Sequence, residues 1–250
     1  PDHNLLSWSF DSKGSEFFSI KIKDLKSNKN FNDEVKNTDG NMIWSLDGNG
    51  FYYIRMDNNH RPSSLWFHKI NTQEDEDTEI YNEKDTGFFL SIDETLNRNF
   101  LVLSIHNHET SEIRIINQRK KERELVLFAK RTHGVEYSIE HDRENSRFLI
   151  LTNIDNSIDF KVMETKENLL DQKNWIDFIP HQEGVLITSI SCLQNFILIQ
   201  ELEDGIPRIS SINKKDNFRN IIVFDEEVYD LDFNEGYEYN SDLIQIYYSS

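Results

Sequence analysis

The sequence predicts an all-β fold, a β-propeller of four-stranded blades, and three observations lead there. Short apolar runs with period-two alternation recur along the whole 250-residue chain. Such alternation marks a half-buried strand, because successive side chains point to opposite faces. The runs fall into sets of four, each set taking about 40 to 50 residues, the length of a propeller blade. Helical periodicity is nearly absent. The one candidate longer than a turn is Val162–Lys173, which fits a short helix or an extended loop. A sandwich or barrel is the alternative, but it holds fewer strands, whereas radial repetition avoids long open edges.

Taken in order, strands are expected at Leu5–Phe10, Phe17–Lys23 and, weakly, Phe31–Val35, with Asp11-Ser12-Lys13-Gly14 as the first hairpin turn. A second set starts at Met42-Ile43-Trp44, turns at Leu46–Gly50, and continues through Phe51–Ile54, Ser64–His68 and Glu79–Tyr81. The third comprises Phe88–Ile92, Phe100–Ile105, Glu112–Ile116 and Leu125–Phe128. The fourth shows the pattern most clearly. Val135, Tyr137 and Ile139 alternate with Glu136, Ser138 and Glu140, a polar turn spans His141–Ser146, and the apolar run Phe148–Leu151 follows. Four consecutive apolar residues fit a strand covered on both faces. Ile158–Val162 and Trp175–Ile179 complete that set. A fifth runs through Val185–Ile190, Phe196–Gln200, Pro207–Ile212 and Ile221–Phe224, and a sixth opens with Val228–Phe233 and Leu243–Tyr248. The expected blades are therefore 1–40, 41–86, 87–132, 133–182, 183–226 and an incomplete 227–250, about five and a half in all. A ring of that size leaves open sheet edges, so the sequence reads as part of a longer protein.

Composition narrows the partners. The formal net charge of −18 argues against nucleic acid or an anionic membrane, both of which need a basic face. It suits a cationic ligand steered over long range, or simply a soluble, self-repelling surface. No apolar run approaches the roughly 18 residues of a membrane span. PDHNLLSWSF at the start shows no secretion signal. Cys192 is the sole cysteine, which fits a reducing, cytoplasmic compartment. At a strand end with no histidine nearby in sequence, it reads as a buried structural thiol rather than a nucleophile.

Motifs that carry chemistry are mostly missing. The chain contains no G-x-S-x-G elbow, no phosphate-cradling glycine loop and no H-E-x-x-H, so no catalytic residue, metal or cofactor is assigned. His106-Asn107-His108-Glu109 has two imidazoles on one strand face but reads better as an exposed hairpin. The acidic run Glu74–Glu79 lacks the ligand spacing of a calcium loop and reads as a solvated turn, with Ca²⁺ or a basic peptide as the alternative. Asp57, Arg61 and Pro62 form a polar turn whose simplest reading is hairpin geometry. Arg131, Glu136 and His141 flank an expected inner strand, so together with Arg61 they are the candidate channel or interdomain residues. An Arg–Glu pair joining neighbouring blades is the blander reading of the first two.

Several stretches stand out in order along the chain: Asp11–Phe18, Trp44–Asp47, Phe51–Tyr53 with Asp57 and Arg61-Pro62, and Ser111–Ile113. Arg131–His141 follows, then Thr152-Asn153, Asp159-Phe160, Ile179–His181, Phe224–Glu226 with Tyr229, and Leu243–Ser250. Together, in this order, they resemble the propeller of the oligopeptidase B group within the prolyl oligopeptidase family of serine peptidases. The resemblance implies a seven-bladed propeller capping an α/β-hydrolase domain of the same polypeptide. That domain would carry the Ser-Asp-His triad and cleave short peptides after Arg or Lys. None of its catalytic or specificity residues falls within these 250 residues. The chain is thus expected to be the non-catalytic cover, a size filter whose negative field favours short basic peptides. A stand-alone propeller that binds a protein partner without catalysis is the alternative.

Overall fold

A computed structural model describes residues 3–233 and 238–250. The chain is all-β, and the helical elements among the described residues are single 3₁₀ turns at Glu74–Glu76, Arg143–Asn145, Ile154–Asn156 and Gln172–Asn174. Among the described residues no helix is long and apolar enough to cross a membrane.

The first sheet is six-stranded and takes its strands in sequence order: β1 (Leu5–Phe10), β2 (Phe18–Asp24), β3 (Lys29–Trp44), β4 (Gly50–Met56), β5 (Pro62–Lys69) and β6 (Thr78–Asn82). Two separate strands were expected where β3 runs unbroken. Its first half pairs with β2 (Val35 opposite Ile20) and its second half with β4 (Met42 opposite Tyr53). The polar residues Asn37–Asn41 separate the two expected strands, yet Thr38 is fully buried, pairs both Phe18 and Arg55, and donates its hydroxyl to the Phe18 carbonyl. Gly40 lies at φ +93° with the Phe18 ring against it, which lets the strand bend rather than end.

Three further antiparallel sheets of four strands follow. The next holds β7 (Phe89–Glu94), β8 (Phe100–His106), β9 (Ser111–Asn117) and β10 (Leu125–Ala129). Another holds β11 (Tyr137–Asp142), β12 (Arg147–Thr152), β13 (Lys161–Lys166) and β14 (Ile176–Ile179). The last holds β15 (Val185–Cys192), β16 (Phe196–Glu203), β17 (Ile206–Asn213) and β18 (Arg219–Ile221). A two-stranded sheet of β19 (Asp230–Phe233) and β20 (Ile246–Ser249) closes the sequence. The possible helix at Val162–Lys173 is strand β13 followed by a 3₁₀ turn: Met163 sits opposite Ile150, and Val162 is wholly buried. Cross-strand pairing with an apolar neighbour outweighs the helix-forming tendency of Met, Glu and Lys.

By its contacts the chain divides into two units, residues 1–94 with 98–127 and residues 95–97 with 128–250. In the first, successive residues of β4 feed different cores. Phe51 and Tyr53 pack with Ile20, Ile22 and Val35, while Tyr52 and Ile54 pack with Leu65, Leu101 and Leu103. A strand buried on both faces needs a continuous apolar run, and Phe51–Ile54 supplies one. The second unit repeats the device in β12, where Phe148–Leu151 are all buried. Leu149 and Leu151 join Val162, Ile187 and Ile199, while Phe148 meets the Phe128 ring edge-on at 5.1 Å. Each such side chain contributes about 1.5–3 kcal/mol of apolar burial. Cys192, fully buried in that core, has its thiol pushed up to about 12 by desolvation, which suits packing rather than nucleophilic chemistry.

Candidate functional site: a stapled loop end and acidic leading strands

At one end of the β11–β14 sheet, three connections are held together: residues 130–136 before β11, 153–160 between β12 and β13, and 180–184 after β14. Asn153 is the first staple. Its Nδ2 donates to the Gly134 carbonyl (3.1 Å), and its Oδ1 accepts from the Glu136 N–H (2.8 Å). Thr152 adds a hydroxyl bond to the Glu136 carbonyl at 2.8 Å. Asp159 is the second. It accepts from the Gly184 N–H through Oδ2 (2.9 Å), takes the Ile187 N–H on its carbonyl, and donates its own N–H to His181 Nε2 at 3.4 Å. Lys161, with only 8% of its side chain exposed, binds Asp155 at 3.1 Å and Asp177 at 3.0 Å. Burial alone would lower its pKa, but the two carboxylates prevail and raise it, so it stays charged.

The middle loop carries left-handed backbone at Asp155, Asn156 and Phe160, with φ near +60° at each. Asp and Asn tolerate that conformation; for Phe160 it is costly, and packing of its ring on the Leu149–Ile187 core holds it. A cavity of 360 Å³ opens between the Gly134–Val135 and Asn153–Asn156 segments, with the 74%-exposed Ile158 at its rim. Its walls offer amides, a carboxylate, an imidazole and aliphatic carbon, a set suited to recognition. Removing the Asn153 staple should be visible directly. Asn153→Ala is expected to cost about 1–2 kcal/mol, from one part-buried and one exposed hydrogen bond, and to speed amide exchange at Glu136, measured by denaturant unfolding and hydrogen exchange.

A larger cavity of 670 Å³ lies in the other unit beside Leu5, Trp44, Asp47 and Arg98. Its carboxylate is already engaged, since Asp47 accepts from Ser45 (2.6 Å), Asn49 N–H (3.1 Å) and Arg123 (3.2 Å).

Of the four predicted site residues, the three in the second unit do not meet at one place. Arg131 and Glu136, both half-buried, flank the stapled loop end. His141 stands five residues further along, and at about 3.3 Å per residue that separates it from Glu136 by about 16 Å. Its side chain is 2% exposed, with Nε2 2.8 Å from Glu167 and Nδ1 beside the Asn97 amide. Desolvation lowers its pKa despite Glu167, so it is a neutral hairpin anchor. Arg61 lies in the other unit. It donates to Asp57 at 3.0 Å and to the carbonyls of Glu83, Asp85 and Phe88, which ties its hairpin to the segment before β7. Lys161, Asp155 and Asp177 escaped notice because no spacing rule links them.

The leading strands share a second feature. Each of β7, β11, β15 and β19 lies at the edge of its sheet and carries no Lys or Arg. Their exposed positions are Phe89, Ser91 and Asp93, Ser138, Thr188, and Asp230 with Asp232.

All 250 residues match the model of the prolyl oligopeptidase N-terminal β-propeller domain. The chain belongs to this family. It is 26% identical to dipeptidyl aminopeptidase BI of Pseudoxanthomonas mexicana, a match that covers the whole chain and 34% of that protein. Oligopeptidase B from Leishmania major has the same fold, with a TM-score of 0.94 at 23% identity, over the whole chain and 36% of that structure. Oligopeptidase B from Trypanosoma brucei, in its closed form with covalently bound antipain, gives 0.90 at 26% identity, again over the whole chain and 36% of that structure. The chain therefore spans about a third of the relatives it matches. Of the residues that carried the resemblance, Gly134, Glu136, Thr152, Asn153, Asp159 and His181 all stand at the stapled loop end, where they hold one connection to the next.

Proposed function

We propose that this propeller is the non-catalytic cover of an oligopeptidase whose hydrolase domain lies in the same polypeptide, and that it admits short basic peptides. One observation carries the reading: a full-length match to a peptidase propeller family by a chain spanning about a third of its relatives. Propeller blades surround a central channel. In each unit the leading strands expose hydroxyls or carboxylates, with the Phe89 ring beside them and no cation, and in keeping with the net charge of −18 such a surface favours a basic peptide. A relative in a form termed closed, with covalently bound antipain, supports a cover that opens and shuts over the reacting groups. The stapled loop end supplies a rigid polar surface on which another domain can bear.

The test uses the full-length parent protein and peptides of increasing length containing one arginine. Cleavage after arginine that fades with length, and that weakens as salt screens the field, is expected. Equal cleavage of short peptides and denatured proteins would overturn the size filter; salt-independent kcat/KM would overturn the steering. The 250-residue chain alone should leave an arginyl-amide substrate intact, because it holds no nucleophile elbow.

A further inference from the structure

The acidic run before β6 does not lie free in solvent as the sequence suggested; two of its carboxylates turn inward. Asp77 places Oδ1 2.6 Å from His68 Nδ1, and the other ring nitrogen of His68 faces Asp33 Oδ2 at 3.2 Å. The side chains of His68 and Asp77 are fully buried, and that of Asp33 is 5% exposed. Tyr53 donates its hydroxyl to Asp77 at 2.8 Å, and the Asn71 N–H donates to Asp33 at 2.7 Å. One step out, Arg55 donates to the Tyr53 hydroxyl (2.8 Å) and to Glu74 (3.0 Å). The Phe51 ring, 5.0 Å from the imidazole, closes the apolar side.

Both ring nitrogens face a carboxylate oxygen, and a carboxylate can only accept. Two donors are needed, so with both carboxylates ionised the ring between them is the imidazolium. The neutral ring has one N–H, which leaves one buried carboxylate facing a lone pair. We propose that Asp33, His68 and Asp77 form a proton-operated clasp that fastens residues 71–77 and the edge strand β6 onto the first sheet, and that it loosens when the imidazole loses its proton. Desolvation opposes the charged ring, but the bonds and charges of Asp77 and Asp33 outweigh it and raise the His68 pKa. A raised folded-state pKa gives stabilisation that is complete below the unfolded value and lost as pH climbs through the folded one. Release begins at the sequence neighbour of the clasp, where Thr78 opens the pairing of β6 with β5 opposite Phe67.

Hydrogen exchange on the full-length parent protein tests this between about pH 6 and pH 9, with rates corrected for intrinsic base catalysis. Protection of amides 72–80 should fall by up to about tenfold per pH unit once pH exceeds the unperturbed histidine value, while β12 stays flat. His68→Gln should start with the lower protection and show no slope, and Asp33→Asn should shrink the slope. A flat profile for amides 72–80 in the unsubstituted protein would overturn the clasp, as would an unchanged slope in His68→Gln. If neither variant folds, the unsubstituted slope against β12 decides alone.

Discussion

Gly50→Ala is expected to unfold this propeller or to cost at least about 4 kcal/mol, the range reserved for severe core lesions. A Cβ built at Gly50 meets the His68 carbonyl oxygen at 2.1 Å and the Phe67 ring at 2.4 Å. The ring can swing; the carbonyl cannot, because it belongs to the β4–β5 ladder, in which Phe51 pairs with His68 and Gly50 with Lys69. The two strands must part where Phe51, Tyr52 and Phe67 are buried, so the penalty combines lost backbone pairing with disrupted packing. Gly134→Ala is the matched control. Gly134 has φ +76° and open space around the added atom, so only the left-handed backbone penalty of about 1–2 kcal/mol applies. Denaturant unfolding of the two variants side by side separates steric closure from backbone strain. Equal midpoints would show that the sheet yields at Gly50.

That glycine also shows where reading the sequence stops. In Leu46-Asp47-Gly48-Asn49-Gly50 both glycines read as turn residues, and Gly48 is one, at φ +70°. Gly50 is instead the first residue of β4, required by a carbonyl eighteen positions away in sequence order that no local pattern announces. The all-β class and the doubly covered strands were readable because period-two alternation and unbroken apolar runs are local consequences of burial, as in Phe51–Ile54 and Phe148–Leu151. The continuity of β3 was not, because Thr38 and Gly40 have turn composition and only their pairing with two neighbouring strands makes them strand. The Glu74–Glu79 run misled for a related reason. Acidic residues in series imply solvation unless partners wait, and Arg55, Tyr53 and His68 are on other strands. At the loop end the staples Asn153 and Asp159 stood out as part of an ordered resemblance, but their partners are mostly backbone groups, which every sequence has and none displays.

Asp142 bears the other large expected effect. It is fully buried at the end of β11 and accepts from Arg147 at 2.9 Å and Asn145 at 2.8 Å, with Lys214 Nζ 2.9 Å from its second oxygen. The Lys214 side chain is 5% exposed, and Glu144 lies 3.7 Å from its ammonium. Asp142→Ala leaves that ammonium buried with most of its compensation gone, and breaking a buried pair from one side costs about 3–5 kcal/mol. Asp142→Asn keeps the volume and part of the hydrogen bonding, so it should cost less. Adding Lys214→Met to Asp142→Asn should recover much of the loss, since the buried charge is then gone from both sides. The pH dependence has a fixed sign. Burial works to raise the Asp142 pKa, but Lys214, Asn145 and Arg147 hold it below the ordinary carboxylate value. Its stabilisation is therefore present above about pH 3.9 and disappears as acid drives pH through the lower, folded-state value. Acid unfolding of the unsubstituted chain should contain this step, and the double variant should lack it. A double variant no more stable than Asp142→Asn would mean that Lys214 finds another carboxylate and that the pair is not what holds β11 to the segment after β17.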